Sequence, residues 1–235
     1  HLAAETNVDR CETDPEHAYR INAAGTQNVA LACRELEIPM LYMSTIEVFD
    51  GGKAAPYTEL DSPNPVNTYA KSKLEGEKIV RSHLDRYYII RTAWLIGGGS
   101  KDKKFVGKMI KLLEKEKEIK AVNDKIGSPT FAKDLAFNLL KLIEAEKYGL
   151  YHMCNRGFCS RYEMAQKIVE LLDRKEVKVV PVSSDYFKLP APRGRSEAAT
   201  NYNLDLLNLN LMPPWEKSLE EYLKTEFTPQ RQESS

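Results

Sequence analysis

The sequence predicts an α/β fold built on a doubly wound parallel sheet, and three observations carry that reading. Two near-continuous apolar runs, "IPMLYMSTIEVF" (38–49) and "RYYIIRTAWLIG" (86–97), have the composition of strands buried on both faces. Stretches with apolar residues at helical spacing alternate with such runs along the chain, as crossover connections require. A Gly/Pro-rich segment, "DGGKAAPYTELDSPNP" (50–65), stands between a strand and a helix as a loop. Sheets of this kind bind ligands at the carboxyl ends of their strands, so those ends hold the candidate site.

The elements follow in order. Residues 14–37 predict a helix, with Asp14 as N-cap, Pro15 in the first turn, and Ala18, Ile21, Ala24, Val29, Ala32 and Leu36 as its apolar positions. The 38–49 strand and the 50–65 loop come next, then a helix over 66–84 and the 86–97 strand. A helix after the "GGGSKDKK" loop turns Phe105, Met109, Leu112 and Leu113 inward. "EIKAVND" is a short strand, "KIGSPT" a turn, 132–146 a helix and "GLYHMCN" a strand. Ser160 with Glu163 three residues on is a capping box opening a helix over 160–174. "VKVVPVS" is a strand, and "WEKSLEEYLKTEF" a closing helix.

Composition narrows the function classes. A chain of 235 residues can bury one good core with a smaller attached lobe. Its 34 basic and 34 acidic residues balance, which argues against a partner held through nucleic-acid phosphates. The mixed-sign stretch "KMIKLLEKEKEIK" (108–120) reads as a solvated helix face. Neither a membrane span nor a signal peptide is read. Cys11, Cys33, Cys154 and Cys159 form no Cys-x-x-Cys pair, and with four dispersed histidines no metal site is expected. Reduced structural thiols in a cytoplasmic protein are the default reading.

The chemistry-bearing residues gather at the end of the first long strand and on the helix after it. "MSTIEVF" supplies Ser44, Thr45 and Glu47, and "NTYAKSKLEGE" supplies Tyr69 and Lys73. Residues four apart on a helix share a face. A phenol is a sluggish acid near neutrality, and a neighbouring ammonium favours its ionised form. A strand-end hydroxyl beside that pair could hydrogen-bond the same substrate oxygen, which is what carbonyl reduction requires.

These residues sit among longer matching blocks: "CETDPEHAYRINAAGTQNVA", "VFDGGKAAPYTELDSPNPVNTYAKSKLEGE", "IIRTAWLIG", "IGSPTFAKDLA", "GLYHMCN" and "WEKSLEEYL". In these blocks the chain resembles the dTDP-4-dehydrorhamnose reductases, extended short-chain dehydrogenase/reductases. The resemblance implies a Rossmann-like cofactor-binding part over 1–99 and 121–155 and a smaller substrate-binding lobe over 100–120 and 156–235. It implies reduction of the 4-keto group of a dTDP-linked deoxy sugar by NADPH or NADH, in a cytoplasmic protein that can form a homodimer. Tyr69 would donate the proton, Lys73 would lower the tyrosine pKa and hold the nicotinamide ribose, and Thr45 would hold the reacting oxygen. Ala3, Ala4 and Ser44 would line the cofactor. Glu47, Trp94 and Arg193 would meet the substrate, Trp94 near the sugar and Arg193 at the diphosphate.

Two departures from the family pattern qualify these expectations. The reductases read Ser-Thr-Asp-Tyr-Val-Phe-Asp-Gly where this chain reads Ser44-Thr45-Ile46-Glu47-Val48-Phe49-Asp50-Gly51. Ile46 cannot accept a hydrogen bond from a sugar, an expected loss on the order of 1 kcal/mol. Glu47 matches related sugar-nucleotide dehydratases, in which an Asp and a Glu share acid and base duties, so a dehydratase or epimerase is an alternative. The phosphate-binding glycine loop is also absent: "IGGGSKDKK" opens no helix at its glycines. The expectation is therefore a sequence that begins part-way into a longer protein. A non-catalytic subunit is the second alternative, since the regulatory beta subunit of methionine adenosyltransferase resembles the same reductases.

Overall fold

The computed structural model describes residues 1–227. The chain opens with α1 (Val8–Thr13), α2 (Pro15–Tyr19), a π-helical turn over Arg20–Ala24, and α3 (Gly25–Glu35). Then come β1 (Met40–Thr45), a 3₁₀ turn over Ile46–Val48, α4 (Thr68–His83), β2 (Tyr87–Thr92), β3 (Leu95–Ile96) and α5 (Phe105–Leu113). They are followed by β4 (Glu118–Val122), β5 (Ile126–Gly127), β6 (Thr130–Phe131), α6 (Ala132–Glu144), β7 (Gly149–His152), β8 (Cys159–Ser160) and α7 (Arg161–Leu171). The last elements are β9 (Lys178–Val182), β10 (Ser196–Glu197), α8 (Tyr202–Leu206) and α9 (Trp215–Glu226).

The central sheet is parallel, in the order β1-β2-β7, with Ser44 beside Arg91 and Arg91 beside His152. All three strands therefore end together, and the ends of β1 and β2 face a common cleft. On one face, Met40, Tyr42, Val80 and Ile89 join α3 and α4 to the sheet. On the other, Tyr88, Ile90, Leu135 and Leu142 join α6 to it. Gly76 makes the α4 packing possible: a Cβ there would stand 2.1 Å from the Tyr42 hydroxyl oxygen. A separate core of Met109, Leu113, Ile119, Met164, Ile168 and Leu219 gathers α5, α7 and α9 around β4 and β9, which pair in parallel.

Several expectations change in the structure. Residues 14–37 form three helical segments, not one. Asp14 caps α2 as expected, accepting the His17 N–H at 3.1 Å, with Pro15 behind it. The π turn then shifts the buried face to Ala18, Asn22, Thr26, Ala30 and Cys33, leaving Leu36 68% exposed. Apolar periodicity could not show this, because two of those positions are polar. Asn22 donates to the Glu5 carbonyl and the Ser72 hydroxyl, and Thr26 donates to the Asn22 carbonyl. The 38–49 strand stops at Thr45, whose hydroxyl accepts the Glu47 N–H and starts the 3₁₀ turn. The 86–97 strand breaks at Trp94, which takes a φ of 44°. Leu112, expected inward, lies on the cleft wall and is 40% exposed. The capping box is formed: the Ser160 oxygen accepts the Glu163 N–H at 3.1 Å, and the Glu163 carboxylate accepts the Ser160 N–H. Gly97–Gly99 lead into a 3₁₀ turn and not an α-helix. Among the described residues, no helix is long and apolar enough to cross a membrane.

Candidate active site

A cleft of about 1310 Å³ runs between the strand ends and the second core. Three local devices place its chemistry. β1 ends at Ser44 and Thr45, and the 3₁₀ turn then swings Glu47 to the cleft wall. Asn67 caps α4, accepting the Ala70 N–H through Oδ1 at 2.8 Å. Tyr69 and Lys73, one turn apart on that helix, both face the cleft.

The candidate residues fall in different places. Thr45, Tyr69, Lys73, Ser44, Ala4, Glu47, Trp94 and Arg193 all line the cleft, whereas Ala3 is exposed outside it. Ile46 does not line the cleft either. It is fully buried with Val48, Phe49, Tyr57, Ala93 and Cys154, so this apolar residue belongs to the core and removes no polar group from the cleft wall. Its neighbour Glu47 takes the wall position.

Electrostatics separate the two helix residues. Burial pushes the Tyr69 phenol well above its ordinary range, the Glu47 charge adds to that, and the Thr45 hydroxyl opposes it. The Lys73 ammonium lies 4.1 Å from the centre of the Tyr42 ring, a cation–π contact. Burial lowers its pKa to about 8, with the Glu77 charge opposing the shift. Lys73 thus faces Tyr42 and is not a source of the Tyr69 shift. Ser44 donates to Glu77 Oε1 at 2.5 Å, which commits the proton of that hydroxyl.

Opposite α4, charged groups arrive from distant parts of the chain. The Arg161 guanidinium stacks 3.6 Å from the centre of the Trp94 ring and 4.9 Å from that of Phe105. Glu197 is raised by burial, against the Arg161 charge and a hydrogen bond from the Trp94 indole. Arg193 donates to Asp9 Oδ1 at 3.0 Å, and Lys125 donates to the Arg193 carbonyl at 2.7 Å. Burial, followed by the Glu197 charge, raises Glu47 to about 7. Arg161, Glu197, Lys125 and Asn67 were not singled out from the sequence. Only Asn67 left a local signal, as a cap-type residue opening the Tyr69 helix; Arg161 and Glu197 meet Trp94 through tertiary folding alone.

Lys73 fits the ribose of a nicotinamide cofactor. Among the described residues, the Lys73 ammonium donors meet only the face of the Tyr42 ring, so they are free for a ribose hydroxyl.

Comparison with known proteins gives a consistent picture. The family model described as "RmlD substrate binding domain" matches residues 1–227. The spore coat polysaccharide biosynthesis protein SpsK of Bacillus subtilis is 36% identical over 222 residues, 94% of this chain and 77% of that protein. A dTDP-4-dehydrorhamnose reductase of Mycobacterium tuberculosis is 36% identical over 224 residues, covering 93% of this chain and 73% of its own. Among solved structures, a dTDP-4-dehydrorhamnose reductase from Clostridium acetobutylicum superposes with a TM-score of 0.91 at 40% identity, over 95% of this chain and 78% of the other. The Bacillus anthracis enzyme of that name, in complex with NADP, gives 0.91 at 39% identity with the same coverage.

Proposed function

The chain belongs to the family described by the RmlD substrate binding domain, and on that premise we propose that it reduces the 4-keto group of a dTDP-linked deoxy sugar, dTDP-4-dehydrorhamnose to dTDP-rhamnose, with NADPH or NADH. The observation that carries this reading is one geometry: Tyr69 and Lys73, a turn apart on α4, face the cleft that also receives Thr45 from the end of β1.

Bound, the nicotinamide supplies the hydride. The chain's own residues do the rest. Thr45 orients the ketone oxygen from the strand end. Tyr69 holds the proton that this oxygen needs, and a high phenol pKa keeps that proton in place until negative charge develops on the ketone. Lys73 offers its donors to the ribose. Arg193, fixed by Asp9, and Lys125 supply positive charge for the diphosphate. Trp94, flattened against Arg161, presents an apolar wall to the sugar.

A cofactor part over 1–99 and 121–155 and a substrate lobe over 100–120 and 156–235 stay as the proposed division: α3 and α4 share one core with the sheet and α5, α7 and α9 another, while Leu204 and Met212 cross it to pack with Tyr88 and Leu135. Four free, buried thiols fit a reducing compartment, in keeping with a cytoplasmic setting. A homodimer is the proposed assembly, and no nucleic-acid or membrane partner is proposed.

The test is to mix the complete gene product with NADPH and dTDP-4-dehydrorhamnose and to follow nicotinamide absorbance. Turnover that disappears in Tyr69→Phe supports the reading. Cofactor binding without turnover in the wild type would replace it with that of a non-catalytic binding subunit.

A further inference from the structure

We propose that Glu47 is the proton relay that recharges Tyr69 between turnovers, an inference that rests on the reductase reading above.

The geometry that supports it is a clamp. Asn67 Nδ2 donates to Glu47 Oε2 at 3.0 Å while its Oδ1 caps α4, so the carboxyl group is tied to the same helical turn that carries Tyr69. The same Nδ2 donates to the Pro192 carbonyl at 3.1 Å, which binds the Arg193 loop to this point. On the other side, the Glu47 N–H donates to Thr45 Oγ1 at 3.1 Å. Thr45, Glu47 and Tyr69 all line the cleft, Tyr69 feels both the Thr45 hydroxyl and the Glu47 charge, and among the described residues Oε1 of Glu47 has no hydrogen-bond donor. The charged and titratable groups around the carboxyl are Tyr69 on α4, Glu197 on β10, Arg193 and Lys125 from loops, Arg161 on α7 and Cys11 on α1.

The proton balance closes. As the ketone carbon accepts hydride from NAD(P)H, its oxygen takes the Tyr69 proton and leaves a phenolate. The O–H bond of protonated Glu47 then breaks, and its proton goes to the phenolate oxygen. The Glu47 carboxylate recovers a proton from hydronium or a buffer acid reaching the open cleft, the one proton the overall reduction consumes. Transfer from a carboxyl group raised to about 7 to a phenolate raised far above its ordinary range is downhill. The Glu197 charge helps to keep Glu47 protonated.

Stopped-flow kinetics on Glu47→Gln test this relay. The first turnover uses the proton already on Tyr69, so the variant is expected to oxidise one NADPH per site at close to the wild-type rate. Its steady state is then expected to be about 10²-fold slower. Wild type shows no such burst, and Glu47→Asp restores part of the steady rate. Wild-type kcat falls as pH rises through the Glu47 titration, and this limb is absent from Glu47→Gln. In the cofactor-free protein, carboxyl NMR with ¹³C-labelled glutamate is expected to show a resonance titrating near neutrality that disappears in Glu47→Gln. Steady turnover at the wild-type rate in Glu47→Gln would overturn the relay. So would a raised KM with unchanged kcat and no burst, which would make Glu47 a sugar-binding residue. Absence of turnover in the wild type would overturn the reductase reading itself and the relay with it.

Discussion

Arg91 and Glu77 form a two-pronged ion pair between β2 and α4, with Nε to Oε1 at 2.8 Å and Nη2 to Oε2 at 2.7 Å. Both side chains are 2% exposed. Ser44 adds a third hydrogen bond to the same carboxylate, so the pair fastens the helix of Tyr69 and Lys73 to the strand ends. Arg91→Ala leaves Glu77 buried without its partner and is expected to cost about 3–5 kcal/mol in urea unfolding. The double change Arg91→Met with Glu77→Leu removes both charges and is expected to cost less than that single change.

Lys73 makes stability depend on pH. Its folded pKa of about 8 lies below the ordinary 10.5, so the unfolded chain binds more protons between those values. Stability is therefore expected to rise with pH from about 8 to 10.5, by up to ~3 kcal/mol from this group. Lys73→Met is expected to flatten that rise and to stabilise the protein at pH 7, as urea midpoints across the range would show.

Asn67 joins three elements through one side chain. Asn67→Ala removes the α4 cap, at about 1 kcal/mol, and also frees Glu47 and the Pro192 carbonyl. A total loss of about 1–3 kcal/mol is expected. Asn67→Asp keeps the capping oxygen but sets a buried carboxylate against Glu47 and the Pro192 carbonyl, so it is expected to restore little of the stability near neutral pH and none of the activity.

Gly127 sets the position of Trp94. A Cβ at Gly127 would lie 2.4 Å from the Trp94 ring atom Cε2. Gly127→Ala is expected to displace the indole from Arg161, to shift tryptophan fluorescence, and to destabilise by about 1–3 kcal/mol. Under the proposed function its KM for the sugar nucleotide rises more than its kcat falls.

The features legible in the sequence were those set within a few residues. The Ser160–Glu163 box and the Asp14–Pro15 start depend on spacings of three residues or fewer, and both are formed. The parallel β1-β2-β7 sheet was legible because strands buried on both faces leave long apolar runs. Ile46 was misread because its order in the chain resembles a site motif, while a 3₁₀ turn started by Thr45 directs its side chain into the core. The buried face running from the π turn into α3 was hidden by Asn22 and Thr26, polar residues that satisfy their hydrogen bonds internally. Arg161 and Glu197 carry no local pattern at all: their meeting with Trp94 exists only after the second core has assembled.

The π turn at Arg20–Ala24 acts as a phase adjuster for the cleft rim. Upstream of it, Asp9 holds Arg193 and the Ala191 N–H, and Glu12 accepts the Thr68 N–H at the start of α4. Downstream, α3 is locked against α4. Shortening the turn by one residue would restore an ordinary helix and rotate the upstream segment by about 100° relative to α3. Asp9 and Glu12 would then point away from their partners, so a single codon well before Tyr69 in the sequence sets the alignment of both its helix and the arginine loop.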